Sequence, residues 1–254
     1  VAPALYDINF IEIETSPWNK DVVYVLGYFP NNQGVMILKY DGTTWSNYSN
    51  GLPSSEYPFS MVMDHASNDG IYLSTDLGVY YRDASMANWI PYKTNLPIMY
   101  SSQMEVNLKE NTVRAGTKGR GIWKSSLYCP TASNLVIPIG STVGFKEGAT
   151  VTTISGAVNT TVTASTNPTI YRGTNTVTLL PGFTAAPTNG NNYFQAFIHG
   201  CIGGSTSSYQ FYHSQAPKAD EQEDNDFEEK EQDVIISPNP NNGTFKITFI
   251  DGEF

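Results

Sequence analysis

Short runs of alternating apolar and polar residues, each ended by a turn, occupy the first half of the chain. Such alternation places every second side chain on one face and is typical of half-buried β-strands. The runs predict strands near residues 10–13, 22–26, 35–40, 45, 59–63, 71–74, 79–82 and 89. Turn signals such as Asp41-Gly42 and Asn68-Asp69-Gly70 separate them, because glycine tolerates a positive φ. We therefore predict two successive units of four antiparallel strands.

A third unit follows with three predicted strands, at 104–108, 113–116 and 121–124, and no fourth strand before Cys129. The first two units repeat: Trp45 and Trp89 are 44 residues apart, and each is followed by Leu-Pro at the same distance. A strand-built repeat of roughly 40–50 residues is typical of β-propeller blades. The predicted fold class is therefore all-β, beginning with two to three blades of a partial β-propeller.

Ring closure sets an expectation about the whole protein. Known propellers have at least about four blades, and an open fragment would leave bare sheet edges. We therefore expect the chain to be the C-terminal part of a longer protein. We also expect the open edge of the third unit to be closed by the first strand of the complete ring.

The turn between the predicted strands at 71–74 and 79–82 carries a resemblance. Ser74, Asp76, Gly78 and the aromatic residue that follows are similar to the Asp-box, or bacterial neuraminidase repeat. The resemblance implies a structural role, in which the Asp76 carboxylate and the Ser74 hydroxyl tie down the hairpin and Gly78 supplies the turn. It implies that Asp76 is not a catalytic residue.

The segment 115–123 resembles the closing motif of the last blade in secreted Asp-box propellers of Bacteroidetes, of the sialidase, xyloglucanase and sortilin-like type. Gly119, Arg120, Gly121 and Trp123 carry this motif. The resemblance implies that residues 1–128 are the C-terminal blades of such a propeller, with Arg120 bracing the last blade.

Residues 129–202 differ in composition from the segment before them. Thr, Val, Asn, Ala and Gly dominate, and short alternations recur with Gly and Asn at the corners. This pattern favours a small stacked β structure with a β-branched interior. The run 177–201 resembles the Leu-x-Pro-Gly-Phe, Phe-x-Ala-x-Ile and Cys pattern of small β-stack domains near the C-termini of secreted Bacteroidetes proteins.

Cys129 and Cys201 are the only cysteines and bracket this predicted domain, which favours a disulfide between them. Closing a loop of that length would stabilise the fold by about 4 kcal/mol, and the bond would indicate an oxidising compartment. Two unpaired thiols are the alternative. His65, His199 and His213 are isolated in the sequence, so we predict no metal site and no cofactor.

The negative charge of the chain is concentrated in one segment. The net charge is −10, and nine acidic residues against two lysines lie between Lys218 and Asp233. Such a run repels itself and buries little apolar surface, so we predict a flexible acidic linker over 203–233. A segment that contacts a basic surface or a calcium ion is the alternative. The acidic balance argues against nucleic-acid binding, and the chain has no apolar run of the roughly 18 residues that a membrane span needs.

The end of the chain carries the most specific resemblance. Pro238, Asn239, Pro240, Gly243, Phe245 and Ile247 fall at the spacing of the opening motif of the type IX secretion C-terminal sorting domain, with Ser237 in place of its usual tyrosine. Residues 245–249 alternate as a strand. The resemblance implies that 234–254 begin a β-sandwich sorting domain. It also implies partners, namely the type IX translocon and its outer-membrane shuttle protein, and a secreted or outer-membrane cell-surface location reached through the periplasm.

Two functions remain open at this level. The first is a secreted or cell-surface cargo whose propeller binds a glycan or a surface protein. The second is a fragment of a glycoside hydrolase with its catalytic residues upstream, since that chemistry needs two carboxylates about 5–10 Å apart. The carboxylates that could serve here are Asp7, Glu12, Glu14, Asp64, Glu105 and Glu110. None lies in a catalytic motif, so we assign no catalytic residue and expect no activity in these residues.

Two further residue sets bear on these functions. A sialidase would need an arginine cluster for the substrate carboxylate, and the chain offers only Arg82, Arg114, Arg120 and Arg172. Tyr80, Tyr81 and Tyr100 could stack on sugars, although packing between strands is the favoured interpretation.

Overall fold

The computed structural model describes residues 8–29, 34–98, 101–129, 134–137, 144–153, 159–160, 168–180, 183–185, 193–199, 210–211, 234–237 and 245–249. These residues form strands and turns and include no helix, so the predicted all-β class is confirmed. The chain divides into two compact units. One comprises Val1–Thr131 with Gly200–Tyr212, and the other comprises Ala132–His199 with His213–Phe254.

The first unit opens with two four-stranded antiparallel sheets whose strands pair in chain order. Their strands are β1 (Asn9–Thr15), β2 (Val23–Tyr28), β3 (Val35–Tyr40), β4 (Trp45–Asn47), β5 (Pro58–Asp64), β6 (Gly70–Thr75), β7 (Gly78–Arg82) and β8 (Ile90–Pro91). Each strand lies at or beside a position that the alternation predicted. The short connections follow from turn residues, with Gly42 and Gly78 both at positive φ.

The third sheet of this unit contains β9 (Ser101–Asn107), β10 (Thr112–Thr117) and β11 (Gly121–Ser126). Its fourth strand is β18 (Gln210–Phe211), which pairs antiparallel with β11. We expected this edge to be closed by the first strand of a longer ring. In the structure a segment from about 85 residues downstream of β11 occupies this edge. The sequence did not predict this pairing, because alternation identifies a strand but not the edge that it joins.

Apolar side chains fill the spaces between successive sheets of the first unit. Tyr24, Leu26 and Ile37 of the first sheet pack against Met61, Met63, Ile71 and Leu73 of the second. The opposite face of the second sheet, with Tyr72 and Tyr81, packs against Met104, Val113 and Ala115 of the third. The first strands of the sheets lie next to one another, with β5 beside both β1 and β9. The second sheet therefore buries one face against the first sheet and the other against the third.

The second unit is built around a sheet of mixed direction. Its strands are β12 (Asn134–Ile137), β13 (Phe145–Thr153), β14 (Asn159–Thr160), β15 (Thr169–Leu179), β16 (Thr184–Ala185), β17 (Phe194–Ile198), β19 (Val234–Ser237) and β20 (Phe245–Phe249). β12, β13, β15 and β17 pair in parallel, while β20 is antiparallel to the end of β15 and to β19. β14 and β16 form a separate parallel pair.

Ile137, Val151 and Tyr171 form the core of the second unit, with Phe183 and Phe194 packed against them. Gly173 lies in the middle of β15, where a Cβ would come within 2.2 Å of the Thr176 carbonyl oxygen. This close approach requires glycine at the position.

Candidate functional site

Two glutamates of β1 reach across to the first strand of the next sheet. The Met61 N–H donates a hydrogen bond to Glu12 Oε2, and the Met63 N–H donates one to Glu14. Burial raises the pKa of Glu14, the negative charge of Glu12 raises it further, and the hydrogen bond from Met63 partly offsets both effects. The two carboxylates therefore serve as hydrogen-bond acceptors for backbone groups of β5.

A carboxylate with a raised pKa beside a second carboxylate is chemically suited to proton transfer. In this protein both carboxylates accept hydrogen bonds from the backbone, which gives them a structural use. Asp64 is buried and accepts the Ala66 N–H at 2.9 Å. Glu105 and Glu110 lie near Arg114, at 3.9 and 2.8 Å. Asp7 lies outside the described residues.

The four arginines each have their own surroundings. Arg82 is buried with its guanidinium 3.7 Å from the centre of the Tyr48 ring, and it donates to the Tyr48 carbonyl oxygen at 2.8 Å. Arg172 belongs to the second unit, where it pairs with Glu147 at 2.5 Å. Arg120 is exposed. The contacts of Arg82, Arg114 and Arg172 therefore tie these three side chains to different partners.

The turn between β6 and β7 contains the residues that resemble an Asp-box. Ser74 is buried and donates to the Ser60 carbonyl oxygen at 3.3 Å. The Asp76 carboxylate accepts the Tyr57 N–H at 2.9 Å, and the Asp76 N–H donates to the Tyr57 carbonyl oxygen at 3.0 Å. Asp76 therefore joins its turn to the segment that leads into β5. Inside the turn, the Thr75 hydroxyl donates to the Gly78 carbonyl oxygen at 3.2 Å.

Two aspartates clamp the next turn of each sheet, namely Asp41, which is part of the predicted Asp41-Gly42 turn, and Asp83, which no prediction included. Asp41, between β3 and β4, accepts the N–H groups of Thr43 and Thr44 at 2.8 Å. These hydrogen bonds, chiefly that from Thr44, hold the pKa of Asp41 well below its usual range. Asp83, between β7 and β8, accepts the Ser85 N–H at 2.8 Å. One sequence pattern could have identified both residues, since each aspartate precedes one of the repeated tryptophans by a few residues.

The residues of the last-blade motif lie in and after the turn between β10 and β11. Gly119 and Gly121 have φ values of 85° and 73°, which favour glycine. The Trp123 indole N–H donates to the Arg120 carbonyl oxygen at 3.0 Å, and the Trp123 ring packs against the core between the second and third sheets. Arg120 thus contacts Trp123 through its backbone.

Packing between strands was the favoured interpretation of Tyr80, Tyr81 and Tyr100, with sugar stacking as the alternative. Tyr80 and Tyr81 are buried, and Tyr100 lies outside the described residues. Tyr57 is one of several exposed aromatic residues, and its ring lies 4.6 Å from the ring of Tyr28 and 5.4 Å from that of Phe59, between centres. We call Tyr28, Tyr57 and Phe59 the aromatic platform. Sequence reasoning missed it because its rings come from two sheets.

The remaining predicted residues fall mostly outside the described part of the chain. Cys129 is buried, and Cys201 is not among the described residues, so their pairing stays a prediction. Of the sorting motif, Phe245 and Ile247 lie in β20, whereas Pro238, Asn239, Pro240 and Gly243 are outside the described residues, as is the predicted linker except 210–211. β19, which precedes the motif, pairs antiparallel with β20, which contains its last two residues, and Ile236 lies opposite Ile247.

No three side chains of His, Cys, Asp or Glu within the described residues are grouped so that they could hold a metal ion. Nor does this part of the chain contain a helix long and apolar enough to cross a membrane.

Comparison of the chain with models of protein families, with curated proteins and with solved structures gave no match in any of the three.

Proposed function

We propose that this protein is a secreted or cell-surface cargo of type IX secretion, and that its first unit is a set of propeller blades that binds a glycan or a surface protein. The observation that carries the architectural part is the succession of four-stranded antiparallel sheets with adjacent first strands. Four-stranded antiparallel sheets arranged radially, with their faces packed together, are the blades of a propeller.

The repeated tryptophans support the same interpretation. Trp89 packs between the first and second sheets, where its indole N–H donates to the Tyr48 carbonyl oxygen at 2.7 Å. Trp45 occupies the matching place in the first sheet and is 36% exposed, against 3% for Trp89. A repeat in which each tryptophan packs on the preceding sheet would leave the tryptophan of the first described sheet uncovered.

The export part of the proposal rests on the sorting motif at 238–247 and the acidic segment before it. β19 and β20 pair antiparallel, with Ser237 opposite Lys246, and the sequences Pro-Asn-Pro and Asn-Asn-Gly that connect them are typical of turns. A receptor of the secretion machinery would then recognise a turn presented on a strand pair.

Replacing Pro238, Asn239 and Pro240 together by alanine tests this export signal. We expect the parent protein at the surface of intact cells of a type IX-secreting bacterium, measured by protease accessibility, and the triple variant inside the cell envelope. The matched control replaces Asn241 and Asn242 by alanine, since these neighbouring positions are variable in the motif. Equal surface exposure of the triple variant and the control would contradict the proposal.

A further inference from the structure

The aromatic platform combines an accessible ring with two supporting rings. The Tyr57 side chain is 37% exposed, while Tyr28 and Phe59 are half-buried beside it. Tyr28 ends β2 of the first sheet, whereas Tyr57 and Phe59 lead into and lie on β5 of the second. The platform therefore spans the junction of two sheets, at the end where β1 and β5 begin.

The exposed ring is held in place at its backbone and at its hydroxyl group. Asp76 binds both the N–H and the carbonyl oxygen of Tyr57, so the loop residue is fixed from two directions. A hydrogen bond with Tyr28 raises the pKa of Tyr57 to about 12, and this bond ties the two tyrosine hydroxyls together. Holding a recognition side chain in its bound position lowers the ordering cost of binding.

The chemistry around the ring indicates the class of ligand. An aromatic face is electron-rich and attracts the weakly positive C–H groups of a flat apolar surface. The adjoining Asp76 carboxylate is an acceptor with capacity for more hydrogen bonds than the one from Tyr57, and hydroxyl groups are its natural donors. A pyranose ring offers C–H groups on one face and hydroxyl donors at its rim. The Asp76 carboxylate beside the ring repels anionic groups, which disfavours an anionic glycan.

We infer that the aromatic platform is a binding site for a neutral oligosaccharide, with Tyr57 stacked on one sugar ring and Asp76 accepting hydrogen bonds from its hydroxyl groups. This inference rests on the proposed binding function of the first unit and names its ligand class and residues.

Calorimetric titration of the whole chain with cellohexaose, mannohexaose and chitohexaose tests the site, with hexagalacturonate as the anionic comparison. We expect binding of at least one neutral hexasaccharide and a loss of about tenfold or more in affinity for Tyr57→Ala. Tyr57→Phe keeps the ring and is expected to bind within about threefold of the parent. Tyr193→Ala is the matched control, because its ring is exposed to a similar degree, at 39%, in the other unit.

Hydroxyl-radical labelling of the parent protein gives a readout that does not depend on the folding of a variant. A bound neutral hexasaccharide should protect Tyr57 and leave Tyr193 unchanged. Absence of binding by all three neutral sugars, or equal affinity of parent and Tyr57→Ala, would overturn the inference. If the chain instead bound a surface protein through a contact that Tyr57→Ala removes, the inference of a sugar site would be overturned. The proposed binding function of the first unit would remain.

Discussion

Glu12 and Glu14 satisfy the edge of β5 in the way that a neighbouring strand would. Their carboxylates accept the N–H groups of Met61 and Met63, and an unpaired N–H at a partly buried edge would cost about 1–3 kcal/mol. The cost is that two negative charges approach each other in a half-buried place, which is why the pKa of Glu14 rises.

Glu14→Gln tests this balance. When folding raises the pKa of a carboxyl group, the folded protein loses stability as the pH rises through the unfolded and then the folded pKa. The destabilisation by Glu14 is therefore complete at neutral pH. Glutamine keeps an oxygen acceptor for Met63 and removes the charge. We expect a higher free energy of unfolding for the variant at pH 7, and a difference that vanishes below about pH 4. Urea unfolding at both pH values measures it.

Glu110→Gln provides the control for this experiment, because its exposed ion pair with Arg114 contributes about 0–1 kcal/mol. A Glu14→Gln variant that is less stable than the parent at pH 7 would show that the charged hydrogen bond outweighs the repulsion and would contradict this interpretation.

At this scale, sequence reasoning identified residue types better than partners. The glycines and aspartates of the turns were visible, and Gly78, Gly119 and Gly121 do adopt positive φ values. The contact of Asp76 with Tyr57 was not visible, since the two residues are 19 positions apart and belong to different elements. Asp41 was predicted only as part of a turn, and the matching role of Asp83 was not predicted.

Among the elements, the pairing of β13 with β15 depends on a buried ion pair. Glu147 and Arg172 are directly opposite in the parallel register, and Arg172 is 2% exposed. Taking a charge out of water costs several kcal/mol, and a partner of opposite charge offsets that cost only if the geometry is good.

Arg172→Met should therefore destabilise the second unit, by at most about 3–5 kcal/mol, because it removes the buried cation that faces the half-buried Glu147 carboxylate. The double variant Arg172→Met with Glu147→Leu should recover most of that loss, since apolar residues of similar volume often replace a buried pair without cost. Urea unfolding followed by the near-ultraviolet circular dichroism of the aromatic core measures both. A double variant as unstable as the single one would contradict this account.

Strand positions were predictable from alternation, but sheet membership was not. The parallel pairing of β12, β13, β15 and β17 joins segments whose order in the sheet depends on packing around Tyr171 and its neighbours. β18 could not be predicted for a different reason, because a strand of two residues is too short to show an alternating pattern.

Across the whole molecule, buried tyrosines make the fold sensitive to alkali. Burial raises the pKa of Tyr24 and Tyr72 well above the usual value of 10 and raises that of Tyr48 to about 12. Because the unfolded chain loses these protons first, stability is complete below about pH 10 and falls as the pH rises toward 12 and beyond.

We therefore expect cooperative unfolding in alkali, in which tyrosinate absorbance and the loss of β-sheet circular dichroism change together above pH 10. In denaturant, the 16 tyrosines should titrate as one population near pH 10. Smooth titration of all tyrosines near pH 10 in the folded protein, with no loss of structure, would contradict the buried positions of Tyr24, Tyr48 and Tyr72.

We propose that a strand-built binding module is carried to the cell surface by the type IX machinery. The surface-exposed fraction of the parent protein on intact cells tests this proposal when it is compared between a strain with a working translocon and one in which the translocon is disabled. We expect surface protein in the first strain and accumulation inside the cell envelope in the second. An equal surface fraction in both strains would rule the proposal out.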